Sequence, residues 1–268
     1  MDTIDKPSDS RWRFWLPRIA FAILAPLALL ALVEGALRAF NVGYPTTLMI
    51  PDTIHGKQTT CFNPFFPAPY FPPGMIKEPQ YFCLDPVKPP GTYRIVVLGE
   101  SAAMGDPDFA YGFSRYLEVM LRTRFPRAKF EVVNTGMVAI NSHVSRAIAI
   151  GLAPYQPDFY VVYAGSNEVV GPYGPGTVLA SGTMSLPVIR ASVVARSSRI
   201  GQLLAGSGEK KQEWRGMEMF LDKQVRADSP RMEPAYGNFS SNLQAIVDAA
   251  HQAGARVLLS TVATNLRD

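Results

Sequence analysis

The chain has 268 residues, 47% of them hydrophobic and 18% charged, with a formal net charge of +4. That composition excludes a disordered or fibrous protein and leaves room for one sizeable α/β domain with extra segments. The arginines are scattered among Asp and Glu instead of running together, so no nucleic-acid partner is indicated.

Residues 1–13 form a basic N-terminus, and residues 14–40 read as a transmembrane signal anchor. Ile19 to Val33 carries no charge, and its flanks extend the apolar stretch to about 20 residues, the length that crosses a bilayer. Arg11, Arg13 and Arg18 precede it, which favours a cytoplasmic N-terminus and an extracytoplasmic remainder. The expectation is a single-pass inner-membrane protein with a periplasmic domain. A cleaved signal peptide is the competing reading, but no clear Ala-x-Ala site follows the run. A buried globular helix is disfavoured because the run is apolar on every face.

Residues 41–91 read as a Pro-rich linker arm, with nine prolines between Cys61 and Gly91 and with Phe65, Phe66, Tyr70, Phe71, Tyr81 and Phe82 among them. Such a stretch is not expected to make regular helix or central strand. Its aromatics are expected to pack on the folded domain, with a sugar-stacking surface as the alternative. Cys61 and Cys83 lie beyond the anchor, in a compartment that permits disulfides. A bridge and a pair of reduced buried thiols both fit the sequence.

Regular structure is predicted from Arg94 onward, within a domain spanning 92–268. "RIVVLG" reads as a buried strand. A helix follows with Phe113, Tyr116, Leu117, Met120 and Leu121 as its apolar stripe, ending before Pro126. "KFEVVNTG" is a second strand, and "NSHVSRAIAIGLAPY" a helix capped by Asn141 or Ser142. "PDFYVVYAGSNE" is a third strand. Residues 171–234 interrupt the pattern with a Gly- and Pro-rich loop, a helix over Pro187–Leu204 and another around Trp214–Val225. This insertion reads as a cap over the site or a docking surface for the membrane or another domain. A stripe of Leu243, Ile246, Val247 and Ala250 then leads through Gly254 to a fourth strand, "ARVLLSTV". Alternating strands and helices predict an α/β fold with three layers, α/β/α, around a parallel sheet. Ligands bind at the carboxyl ends of such strands.

Three polar clusters fall there: Gly99-Glu100-Ser101, Asn134-Thr135-Gly136 and Gly165-Ser166-Asn167-Glu168. A serine becomes a nucleophile only when a base removes its proton and donors hold the oxyanion that forms on the attacked carbonyl. Ser101 sits among small residues at a strand-to-helix turn, Gly136 leaves a backbone N–H unobstructed, and Asn167 offers a side-chain amide.

Those residues resemble the SGNH hydrolases, the GDSL-type lipases and esterases. Gly99-Glu100-Ser101 is similar to their Gly-Asp-Ser block, "NTGMVAINS" to the block of their oxyanion glycine, and Gly165-Ser166-Asn167-Glu168 to their Gly-x-Asn-Asp block. "GESAAMGDP", "AINSHVSRAI", "YAGSNEVVGPYG" and "LSTVATNLRD" resemble a bacterial, membrane-anchored subset that often carries a downstream repeat domain. The resemblance implies a flavodoxin-like SGNH fold, Ser101 as catalytic nucleophile, and an oxyanion hole of Ser101 N–H, Gly136 N–H and Asn167. It implies ester hydrolysis on acyl-ester substrates such as O-acetylated glycans or lipids. Polysaccharide O-acyl transfer and a catalytically dead binding scaffold are the alternatives. The family's base histidine, usually in Asp-x-x-His, is expected beyond Asp268.

Each histidine present has a blander role. His143 reads as a polar residue near a helix start, His251 suits a helix C-terminus, and His55 lies in the arm without an evident partner. Glu100 and Glu168 are expected to hydrogen-bond backbone at the turns. Neither a metal nor a cofactor is called for.

Overall fold

The N-terminal apolar run forms one helix, α1 (Ser10–Ala39), in a computed structural model that describes residues 10–76, 80–179, 184–208 and 214–263. Residues 1–9 of the basic N-terminus and the terminal "TNLRD" lie outside the described residues. At 1.5 Å per residue α1 reaches about 45 Å, enough to cross a hydrocarbon core of ~30 Å. Its apolar side chains, from Trp12 and Phe14 to Leu32, are exposed along the whole helix. That pattern is consistent with a single membrane-spanning segment.

The arm differs from its sequence reading. β1 (Met49–Ile54), β2 (Lys57–Phe62) and β3 (Cys83–Leu84) form an antiparallel meander in the order β1-β2-β3. Pro51 is accommodated because β1 is an edge strand, where a missing N–H is tolerated. His55 and Gly56 close the β1–β2 turn with φ of 49° and 78°, the doubly positive geometry that matches hairpin twist. Cys61 lies opposite Cys83 and is joined to it by a disulfide. Phe66, Tyr70 and Phe71 pack into the main core as expected, whereas Phe65 and Tyr81 stay exposed.

The second sheet contains β4 (Thr92–Gly99), β5 (Lys129–Asn134), β6 (Phe159–Tyr163) and β7 (Arg256–Leu259), all parallel, in the order β5-β4-β6-β7. Between its strands run α2 (Ser101–Met104), α3 (Phe113–Arg124), α4 (Ser142–Leu152), α5 (Leu186–Ser197), α6 (Arg199–Gly208) and α7 (Met232–Gln252). Alternation along the strands splits the core. Ile95, Val97 and Val161 meet Phe113, Leu117 and Leu121 of α3 on one face. Val96, Leu98, Tyr160 and Val162 meet α4 and α7 on the other.

Three sequence expectations shift here. Tyr116 and Met120 of α3 point to solvent, because this face of the sheet is only partly covered and receives just one edge of the helix. The helix expected over 187–204 is two helices broken at Ser198. The segment around Trp214–Val225 is a 3-10 stretch, Gly216–Lys223. On the α3 face the β6–β7 half of the sheet is only partly covered among the described residues. It forms an open apolar trough of about 990 Å³ lined by Ala102, Leu117, Phe159, Val161, Tyr163 and Leu258, among others.

Candidate active site

Strand register brings the three polar clusters to one edge of the sheet. Val97 pairs with Asn134 and Gly99 with Tyr163, so the residues after β4, β5 and β6 leave side by side. Gly99 has no room for a side chain, since a Cβ would lie 2.2 Å from Tyr163 O. Ser101 opens α2 and is partly exposed. Among the described residues nothing hydrogen-bonds to its Oγ.

The β5 end is clamped to α2. Asn134 Nδ2 donates to Ala103 O at 2.9 Å and to Ser114 Oγ at 2.8 Å, while its Oδ1 accepts from Gly136 N at 2.9 Å. A Cβ on Gly136 would lie 2.4 Å from Met104 N, so this glycine is required by close approach to α2. Its N–H, the expected oxyanion donor, is engaged by Asn134. Asn167 Nδ2 donates to Ile140 O at 3.0 Å. An amide carries two such hydrogens, so one remains for a ligand.

Glu100 links the Ser101 turn to the Asn167 loop. Its buried carboxylate accepts from Gly165 N and Ser166 N, each at 2.9 Å. Burial pushes its pKa up, and hydrogen bonds from the Gly165, Asn167 and Ser166 backbone oppose the rise.

A second cluster lies at the start of α4, on the same edge. Glu168 accepts from Ser142 N at 2.7 Å and from Ser142 Oγ at 2.8 Å. Asn242 Nδ2, from α7, reaches Ser142 Oγ and His143 Nδ1, both at 3.0 Å. Ser142, His143 and Asn242 thus bring together the residue types of a serine–histidine–asparagine hydrolytic triad. In this arrangement Asn242 stands between the other two, and the Ser142 hydroxyl is fully buried against Glu168. Burial first, then Arg146 and Arg190, lower the His143 pKa to about 4, so the ring is neutral at pH 7. Burial chiefly, with the Glu100 charge, raises Glu168 to about 7 against its bonds from Ser142.

Helix periodicity does not mark Asn242, which lies 99 residues from His143; only its polarity on the buried side of α7 hints at a partner. His55 is exposed in the β1–β2 turn. His251 is exposed at the end of α7, which meets the opposite, amino edge of the sheet. Among the described residues no three His, Cys, Asp or Glu side chains converge as metal ligands.

No protein-family profile matches the chain, and neither does any curated protein. Solved structures with a similar course do exist. TesA is 17% identical, with 62% of this chain and 58% of that one covered and a TM-score of 0.35. AlinE4, described as an SGNH-hydrolase family esterase, is 15% identical over 62% and 75% of the two chains, with a TM-score of 0.29. Axe2, an acetylxylan esterase from Geobacillus stearothermophilus, is 12% identical over 62% and 75%, with a TM-score of 0.28. The chain thus spans 58% of TesA's length.

Proposed function

We propose that the protein is an ester hydrolase of SGNH type, with a three-layer flavodoxin-like domain held by α1 at the periplasmic face of an inner membrane. Ser101 is the nucleophile. The observation that carries this reading is an unengaged, accessible hydroxyl on a turn that Glu100 and Asn134 tie to the loops of Asn167 and Gly136.

Ser101 Oγ attacks the acyl carbonyl carbon while a base takes its proton. The carbonyl oxygen becomes an oxyanion facing Ser101 N–H and the second hydrogen of Asn167 Nδ2. Gly136 N–H joins them when the oxyanion displaces Asn134 Oδ1 as its acceptor. Collapse expels the alcohol, which receives the proton from the base, and leaves an acyl-Ser101 ester. Water then releases the acid; a sugar hydroxyl in its place gives acyl transfer. In this reading the base is a histidine, as the resemblance to the SGNH hydrolases implies. A substrate such as an O-acetylated glycan or a lipid ester suits the exposed position of Ser101.

A second reading is favoured by the Ser142–His143–Asn242 cluster: Ser142 as nucleophile with His143 as its base. It requires the Ser142 hydroxyl to leave Glu168 and become accessible.

The test uses the product of the complete gene, measured by hydrolysis of p-nitrophenyl acetate and by fluorophosphonate labelling. Ser101→Ala is expected to abolish labelling and to lower kcat on the order of 10⁴-fold or more, while Ser142→Ala keeps its label. Loss of labelling in Ser142→Ala alone would transfer the role to Ser142. A wild-type protein that neither labels nor cleaves would leave only the scaffold reading.

A further inference from the structure

The helices of the insertion carry an apolar surface that the proposed chemistry does not use. On α5, Pro187, Val188, Ala191, Val194 and Ala195 share one side at helical spacing, and all are exposed, Val194 to 70%. Leu203 and Leu204 on α6 add to it, exposed to 56% and 68%. A helix on a water-facing surface places polar residues there. The opposite side of α5 does the packing: Ile189 is buried, Ser192 Oγ meets Tyr173 OH, and Arg196 Nη2 donates to Phe71 O at 2.9 Å.

The position of this surface relative to α1 is fixed by hydrogen bonds. Glu34, the first charged residue after the uncharged run, accepts from Arg199 N at 3.0 Å and Ile200 N at 3.1 Å, the first amides of α6. Gln202 of α6 holds the backbone of Tyr44 from both sides, accepting from its N–H and donating to its C=O. With Ile19–Val33 in the hydrocarbon, Glu34 stands at its edge and α6 begins at headgroup depth. Arg190 on α5 is exposed and suits lipid phosphates, and the exposed Arg38 on α1 is ion-paired with Glu34 at 2.9 Å.

We infer that the apolar side of α5 and α6 is seated in the same bilayer that α1 crosses, so that the insertion lies on the membrane surface as a second attachment. The inference rests on α1 spanning the membrane and is independent of the ester chemistry. A helix lying in the interface buries its apolar face about 5–10 Å into the headgroup–acyl boundary. The occupant is lipid because α6, which carries part of this surface, packs against α1, a helix whose own exposed side chains are apolar.

Both native cysteines are in the disulfide, so an introduced cysteine is the single labelling site. Val194→Cys, Leu203→Cys and, as a control on α3, Met120→Cys would each carry an environment-sensitive NBD probe. The labelled chains are reconstituted in phosphatidylethanolamine–phosphatidylglycerol vesicles at one chain per vesicle. The expected result is a blue-shifted emission at 194 and 203, quenched by nitroxide-labelled lipid and several-fold less by iodide than at 120. Equal iodide quenching at 194 and 120 overturns the inference. So does burial that is absent at one chain per vesicle and present only at several, which would assign the surface to a second copy. Salt-resistant flotation of the same samples reports α1 separately: a chain that floats with a wetted 194 probe keeps its anchor and loses the second attachment.

Discussion

Glu168 and His143 belong to one hydrogen-bond network, joined through Ser142 and Asn242, and their titrations pull stability in opposite directions. Glu168 has a folded pKa of about 7 against an ordinary value of 4.5, so the folded state holds its proton more tightly. Its contribution is greatest at acid pH and is lost as pH rises from about 4.5 to about 7. His143 is lowered from 6.5 to about 4, so its contribution is present above 6.5 and is lost as pH falls towards 4. The two oppose each other through the mildly acid range. Glu168→Gln stays neutral and is expected to unmask the histidine. Relative to wild type it should gain about 2–3 kcal/mol between about pH 4.5 and 7.5, since each tenfold change in proton affinity is worth roughly 1.4 kcal/mol. Denaturant titrations of both proteins at the two pH values check this, and parallel changes would show that Glu168 is not buried as described. At this scale the sequence is informative about position and less so about reason. It marks Gly136 for an unobstructed N–H, whereas the neighbours of Gly136 show a glycine demanded by the backbone of Met104. Glu100 does act as a backbone acceptor, because a carboxylate among small turn residues has few other partners.

The four parallel strands are legible because each is a short apolar run ending in polar residues, a pattern that needs no distant partner to recognise. The β1–β2 hairpin is not. Its turn uses His55-Gly56 where Asn-Gly would have signalled it, and Pro51 argues against a strand unless β1 is known to be an edge. β3 is only two residues long and is fixed to β2 by Cys61–Cys83 more than by any pattern of its own. That bridge closes a loop with a sequence separation of 22. Replacing both cysteines by serine should therefore cost roughly 2–4 kcal/mol. Limited proteolysis is the measurement: cleavage within the 62–83 segment should accelerate while fragments of the parallel sheet persist. Unchanged cleavage would mean that the packing of Phe66, Tyr70 and Phe71 alone secures the arm.

Across the whole molecule, strand alternation tells which elements share a sheet, but no local pattern announces that Glu34 meets the start of α6, 165 residues later. Such a contact is set by how the arm wraps and leaves no periodic trace. Glu34 acts there as an acceptor for the unpaired amides that begin a helix, a role whose loss typically costs about 0.5–2 kcal/mol. Glu34→Ala is expected to speed hydrogen exchange at the amides of residues 199–202 and to leave β4 and β6 unchanged. Exchange that rises equally in the sheet would instead show that α1 supports the whole domain.

The same contact makes α1 the first member of a strut of hydrogen-bonded and packed elements. A membrane thinner or thicker than the helix prefers changes its lean. From Glu34 the strut runs through α6 and α5 to Ser192, whose hydroxyl meets Tyr173, and the Tyr173 ring packs edge-on against His143 at 6.0 Å. A lean of α1 that keeps the Glu34 bonds is taken up somewhere along this path, at the break between α5 and α6 or at the loop beside the carboxyl edge of the sheet. With α1 in a bilayer, the thickness of the surrounding lipid is expected to act on Tyr173 and its ring contact with His143.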